Sequence, residues 1–172
     1  MTYVIASDIH GSALYCRKLL EAFEKLNADK LVLLGDILYH GPRNDLPEGY
    51  APKEVIAMLN PIAEKILCVR GNCDAEVDQM VLNFPIMDEY KELENGVFIT
   101  HGHHLEDGGF PFEAGDMVFY GHTHVPKIEN KNGIVYINPG SVSIPKEDSR
   151  RGFILYDGKE VTFEILDEEK HN

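Results

Sequence analysis

The chain has 172 residues and a formal net charge of −13, with 44% hydrophobic and 26% charged residues. These proportions suit a soluble globular domain, and the length suits one domain with one sizeable core. The acidity excludes electrostatically driven binding to duplex nucleic acid or to an anionic membrane, since both need clustered Lys and Arg. A phosphate ligand stays open, because bound divalent cations can reverse the potential of a site. No apolar run reaches the ~18 residues of a membrane span. The opening MTYVIASDIH has neither a basic n-region nor a small-residue cleavage site. The three cysteines, Cys16, Cys68 and Cys73, are odd in number and form no CxxC pair. That pattern suits a reducing compartment, and the cytoplasm is the expected location.

YVIAS at 3–7 reads as a buried strand that ends at Asp8-Ile9-His10-Gly11. Ser12 is placed to cap a helix outlined by Leu14, Leu19, Leu20, Phe23 and Leu26. KLVLLGD at 30–36 is a second continuous apolar run, suited to a strand covered on both faces. The loop HGPRNDLPEGYAP leads to a helix at about 52–60, and KILCVRGNCD supplies a third strand and a polar turn. Repeated strand–helix units predict parallel strands with right-handed crossovers. The second half changes character. GVFITHG, DMVFYGHTH, GIVYINPGS, RGFILYD and EVTFEIL are short β-rich runs between turns, predicting a second, largely antiparallel sheet packed on the first. Residues 1–166 read as a single domain, and DEEKHN at 167–172 as a polar tail.

Several runs end with ligand-type residues directly after the last apolar position: Asp8-x-His10, Gly35-Asp36, Gly71-Asn72 and His101-Gly102. Gly121-His122-Thr123-His124 follows MVFY in the same way. Ligands of open α/β sheets gather at the carboxyl ends of strands, so these distant segments can share one site. Carboxylate, imidazole and amide oxygen make a mixed N/O donor set for manganese, iron, zinc or a similar divalent ion. Seven such residues exceed what one tetrahedral zinc uses. Two ions ~3.5–4 Å apart can clamp both oxygens of an in-line phosphoryl displacement. Asp-x-His, Gly-Asp and Gly-Asn are weak signals alone. Gly-His-x-His is expected only about 0.03 times by chance in this composition, and the ordered set carries more than any member.

The ordered set DIHG, GDILYHGPRN, RGNCD, THGH and GHTH resembles the calcineurin-like metallophosphoesterases, most of all their small bacterial and archaeal phosphodiesterase branch. The resemblance spans nearly the whole chain. It implies a four-layer α/β/β/α sandwich of two mixed β-sheets, with the metal site at the strand ends. By the same resemblance Asp8, His10, Asp36 and His124 would hold one ion, and Asp36, Asn72, His101 and His122 the other. The implied reaction is attack on a phosphodiester by hydroxide bridging the two ions, with monoesters left open. The N/O donors make manganese the expected metal, with iron, zinc or nickel as alternatives. Asp36 and Asn72 would thereby be catalytic as well as ligating.

One position departs from the pattern. Many members place a His directly after the motif Asn, to protonate the leaving group or position phosphate, and here that residue is Cys73. A cysteine of ordinary pKa is a poor substitute acid. His103 is a candidate phosphate contact or proton donor. His40 and Arg43, in the loop after Asp36, could meet a substrate phosphate or serve structure. His104 reads as a loop residue, His171 as a solvated tail residue, and Cys16 and Cys68 as core. Asn138-Pro139-Gly140-Ser141 reads as a rigid turn near the site. The competing reading is a non-catalytic binding scaffold of the same fold, against which all seven ligand positions are filled. A mononuclear storage or sensor protein would leave half of them without a role. The expected partner is a small phosphate ester, and self-association through a sheet edge or apolar patch is left open.

Overall fold

The computed structural model describes residues 1–167. The expected polar tail, including His171, lies outside the described residues apart from Asp167. The Asp167 carboxylate accepts from the Arg151 backbone N–H at 3.1 Å and from Arg151 Nη1 at 3.2 Å.

The opening run forms β1 (Tyr3–Ala6), buried at every residue. Successive strand side chains point to opposite faces. Val4 and Ala6 therefore meet the helices, while Tyr3 and Ile5 meet the second sheet. Burial on both faces is why this run shows no polar alternation. Helix α1 (Ala13–Lys25) follows, with Ser12 Oγ accepting from the Tyr15 N–H at 3.2 Å as an N-cap. Such a cap contributes about 1 kcal/mol. β2 (Lys30–Leu33), α2 (Pro52–Leu59), a 3-10 segment (Asn60–Lys65), β3 (Ile66–Cys68) and the short α3 (Glu76–Gln79) complete the first half. Pro52 opens α2, where its missing N–H would have had no helical partner. Cys16 and Cys68 lie in the core between helices and sheet, as expected.

The second half contains β4 (Tyr90–Glu94), β5 (Val97–Thr100), β6 (Met117–Phe119), β7 (Pro126–Lys131), β8 (Ile134–Pro139), β9 (Gly152–Tyr156) and β10 (Val161–Ile165). The strands form two five-stranded sheets, ordered β10-β9-β1-β2-β3 and β4-β5-β6-β8-β7. β1, β2 and β3 are parallel, with β9 antiparallel to β1 and β10 antiparallel to β9. In the second sheet β5, β6 and β8 are parallel, and β4 and β7 run antiparallel along the edges. Both sheets are thus mixed. Two details correct the sequence reading. The second sheet has a parallel centre rather than being largely antiparallel, and RGFILYD and EVTFEIL return to the first sheet as β9 and β10. Phe153 packs toward the helices and Ile154 toward the other sheet, so β9 is apolar on both faces and belongs inside a sheet.

The sheets pack face to face, with Ile5, Val32 and Leu34 against Ile99, Phe119 and Ile137. Helices α1 and α2 cover the outer face of the first sheet. Over the second sheet the covering layer is thin. It consists of the 3-10 turn Leu105–Asp107 and a loop whose Phe110 and Phe112 pack on Tyr90 and Phe98. The architecture is the expected α/β sandwich of two mixed sheets, with the 3-10 turn and loop standing where a second helical layer was expected. Among the described residues no helix is long and apolar enough to cross a membrane. The segments that follow β1, β2, β3, β5 and β6 come together at one edge.

Candidate metal centre

The chain turns sharply where it leaves these strands. Asp8, His10, Asp36, His122 and His124 have φ of 57°, 48°, 56°, 70° and 61°. Residues with a Cβ pay of order 1–3 kcal/mol for this left-handed region, so five of the seven expected ligands need surrounding contacts to hold them there. Those contacts are present. The His10 N–H donates to the Asp36 carbonyl at 2.9 Å and the Gly11 N–H to the Ile37 carbonyl at 2.8 Å, lacing the first two loops together. The Ser141 and Ser143 hydroxyls donate to the Asp8 carbonyl at 2.8 and 3.1 Å. Asn138 Nδ2 donates to the Gly121 carbonyl at 2.8 Å and to Thr123 Oγ1 at 3.0 Å, while its Oδ1 accepts from the Gly140 N–H. The turn at 138–141 is therefore a brace for two of the loops that carry the cluster. Backbone also presses directly on the carboxylates. A Cβ at Gly71 would lie 2.1 Å from Asp36 Oδ1, and one at Gly121 would lie 1.9 Å from Ser7 Oγ and 2.8 Å from Asp8 Oδ2.

The side chains converge in two sets. Asp8 Oδ1 faces His10 Nε2 at 3.4 Å and His124 Nε2 at 3.2 Å, and the two imidazole nitrogens are 3.2 Å apart. Asn72 Oδ1 lies 3.0 Å from both His101 Nε2 and His122 Nδ1. Asp36 stands between the sets. Its Oδ2 is 3.6 Å from His10 Nε2 and 3.3 Å from His101 Nε2, while its Oδ1 accepts from the Cys73 N–H at 2.8 Å. The other carboxylate is oriented likewise. Asp8 Oδ2 accepts from the Ser7 hydroxyl at 2.5 Å and the His122 N–H at 3.0 Å, which leaves the buried Oδ1 with no hydrogen-bond donor.

Three of the four imidazoles are fixed from behind. Nδ1 of His10 donates to the Tyr39 carbonyl at 2.8 Å, His101 to Leu34 at 2.6 Å, and His124 to Ile144 at 2.6 Å. A proton held on Nδ1 leaves Nε2 free to serve as a metal ligand. Charge is balanced within the cluster. Burial would raise the Asp8 carboxyl, but the His10 and His124 imidazoles against it hold it well below the usual carboxylate range. Burial would lower His101, yet Asp36 and then Asp8 lift it to about 9. Burial likewise opposes protonation of His10, and Asp8 reverses the sign and raises it. His122 goes the other way, lowered by burial and by His101.

The remaining candidates divide. Cys73 borders the cluster with His10 and Asp36. Burial, then the Asp36 carboxylate, push its thiol up to about 12, so it stays protonated at neutral pH. His103 lies beside His101, ring centroids 5.3 Å apart, and burial with His101 and His104 brings it down to about 4. His104 is paired with Glu89 at 3.1 Å on the surface. His40 packs between Tyr39 and Tyr50, whereas Arg43 lines the cleft in front of the cluster. That cleft, of about 880 Å³, also holds Arg70 and Lys146. Sequence reasoning missed Asp74. Its carboxylate accepts from the N–H groups of Asp36, Ile37 and Gly71 at 2.8, 3.0 and 2.7 Å, and burial pushes it up to about 6. The signal was an acidic residue inside an otherwise polar turn, RGNCD, where a surface role is the ordinary assumption.

A two-sheet α/β sandwich with an Asp/His/Asn cluster at the strand ends defines a class, and the chain belongs to it: the calcineurin-like phosphoesterase superfamily, whose domain profile matches residues 1–160. Phosphodiesterase YfcE of Escherichia coli (strain K12) is 47% identical over 161 residues, covering 91% of this chain and 88% of that protein. A solved structure of Yfce, described as a phosphoesterase from E. coli, superposes with a TM-score of 0.90 at 44% identity, covering 97% of this chain and 94% of the other. Phosphodiesterase MJ0936 of Methanocaldococcus jannaschii is 28% identical over 147 residues, covering 79% and 81%. Membership implies divalent metal ions, and the donors fit them. Asp8 Oδ1 is a buried anionic oxygen without a hydrogen bond, aimed at two imidazole nitrogens whose far sides are already occupied.

Proposed function

We propose that this chain, a metal-dependent phosphodiesterase, holds two divalent ions in donor sets that share Asp36. The first set is Asp8, His10, Asp36 and His124, and the second is Asp36, Asn72, His101 and His122. The observation that carries the reading is Asp36 Oδ2, which faces His10 on one side and His101 on the other. Bound divalent ions would supply Lewis acidity, lowering the pKa of water and neutralising phosphoryl charge. Manganese is the metal we favour, with iron, zinc or nickel as alternatives, because the donors are nitrogen and oxygen. Residues 1–166 act as one unit in this reading, in the cytoplasm, on a small phosphate ester.

The chain's own groups divide the remaining work. Arg43, Arg70 and Lys146 line the cleft, where cations offset the charge of an incoming phosphate. Asp74 and the turn at 138–141 position the ligand loops. Neither Cys73 at about 12 nor His103 at about 4 is a proton donor matched to neutral pH. With no well-matched acid among these residues, the rate should depend steeply on leaving-group pKa. The non-catalytic scaffold has no observation in its favour, since every ligand position is filled. The test is to strip the protein with chelator, add back single metals and follow a chromogenic diester. Activity that returns with manganese supports the reading, and full activity in metal-free protein refutes it.

A further inference from the structure

A second cleft, of about 630 Å³, opens on the other side of His122 and Thr123, which line both cavities. The two clefts differ in chemistry. The first carries Arg43 and Lys146, and Arg70, which is itself paired with Glu76 at 3.7 Å. The second is lined by Tyr120, Tyr136, Leu105 and Ile134, with His103 and Asn132 among its polar groups, and Lys131, the one lysine or arginine among its described lining residues, is paired with Glu106 at 3.7 Å. Glu129, the other carboxylate on that side, is likewise paired, with Lys127 at 3.1 Å, so no free cation among the described residues of this cleft is left for an anion. Tyr120 and Tyr136 meet edge to face, ring centroids 6.2 Å apart, and Tyr120 rests on Gly102 so closely that a Cβ there would lie 3.0 Å from its ring. The aromatic wall is thus held in place directly behind the loop that carries His101.

We propose that this second cleft takes a flat aromatic arm of the phosphodiester, an aryl group or nucleobase, packed on Tyr120 and Tyr136 while the phosphate sits at His122. The inference rests on the phosphodiesterase reading and adds a substrate class to it. A diester has two arms, and a centre flanked by two clefts can seat both. Charge sorts them. An arm bearing further negative charge belongs with Arg43 and Lys146, and a neutral aromatic arm belongs with the tyrosines. Pockets of this size and lining ordinarily bury an apolar body and use a few polar groups for orientation.

The test is equilibrium binding to metal-loaded protein of two phosphinates, whose arms are both joined to phosphorus through uncleavable P–C bonds: dimethylphosphinate, with a methyl arm, and methyl(naphthylmethyl)phosphinate, with a naphthyl arm. No leaving-group chemistry enters such a comparison. The naphthyl phosphinate should bind about tenfold more tightly than the methyl phosphinate, the scale of an aromatic contact. Tyr136→Leu should abolish most of that preference and Tyr136→Phe should keep it, with thermal unfolding confirming that both variants fold. Lys146→Ala should leave the preference unchanged. A wild type with no preference, a wild type that binds neither phosphinate, or a Tyr136→Leu variant that retains the preference overturns the proposal. Turnover of a chromogenic diester, measured in parallel, judges the phosphodiesterase reading separately.

Discussion

Asp36 carries three duties through one carboxylate: Oδ1 accepts from the Cys73 N–H, and Oδ2 faces His10 and His101. Asn72 does something comparable with a neutral amide, placing one oxygen between His101 and His122. Asn72 is exposed and His122 half-buried, so neither is needed for core packing. Asn72→Ala and His122→Ala should each lower turnover at least about 100-fold, and each should bind one metal per chain in place of two. Stability should change by less than about 1 kcal/mol. A variant with near-wild-type rate and two bound ions would refute the ligand assignment. Cys73 sets the limit of the chemistry. With its thiol at about 12, Cys73→His should accelerate diesters with alkyl leaving groups more than nitrophenyl esters, by a margin of about 10²-fold if the new group acts as general acid. A leaving-group series on both proteins checks this, and an unchanged dependence means the missing acid would not sit there.

At the level of elements, the site depends on loops tied to one another rather than on the strands alone. Asp74, in the loop after β3, accepts from the Asp36 and Ile37 N–H groups of the loop after β2 and from the Gly71 N–H of its own loop. Asp74→Asn would turn an amide donor toward one or more of them, which should cost about 2–3 kcal/mol in denaturant unfolding of the metal-free protein. Unaltered stability would show that these contacts are dispensable. The loops that converge on the cluster were legible in the sequence because polar donors directly after apolar runs mark strand ends, whatever the strand order. The order was not legible. GFILY says strand, but its partner β1 lies at the far end of the chain, and Tyr3 opposite Tyr156 is a pairing that no local pattern announces. The edge strands β4 and β7 were missed for a different reason. YKELE and PKIENK have almost no apolar face, and Pro126 begins a strand at the sheet edge, where an N–H can be spared. Asp74 and Ser7 were overlooked because their work lies in backbone and carboxylate contacts that composition does not reveal.

Across the whole molecule, a chain of net charge −13 concentrates buried carboxylates and imidazoles at one edge and balances them with protons when no metal is bound. His101, raised from 6.5 to about 9, contributes stability that is fully present below 6.5 and is lost as pH rises through 9. Metal-free protein should therefore melt at progressively lower temperature over that window, while metal-loaded protein should not. Because a ligating imidazole must give up its Nε2 proton, metal affinity should rise about tenfold per pH unit for this one group between pH 7 and 9. Calorimetry in buffers of different ionisation enthalpy would register the released proton, and affinity independent of pH would contradict the assignment. The central claim is a shared two-ion centre that drives diester hydrolysis. Its most direct measurement is a titration of chelator-stripped protein with manganese, following bound metal and chromogenic diester turnover in the same samples. The account predicts an inactive metal-free protein, with binding and rate both saturating at two ions per chain. Full rate at one ion, or with none, would contradict it.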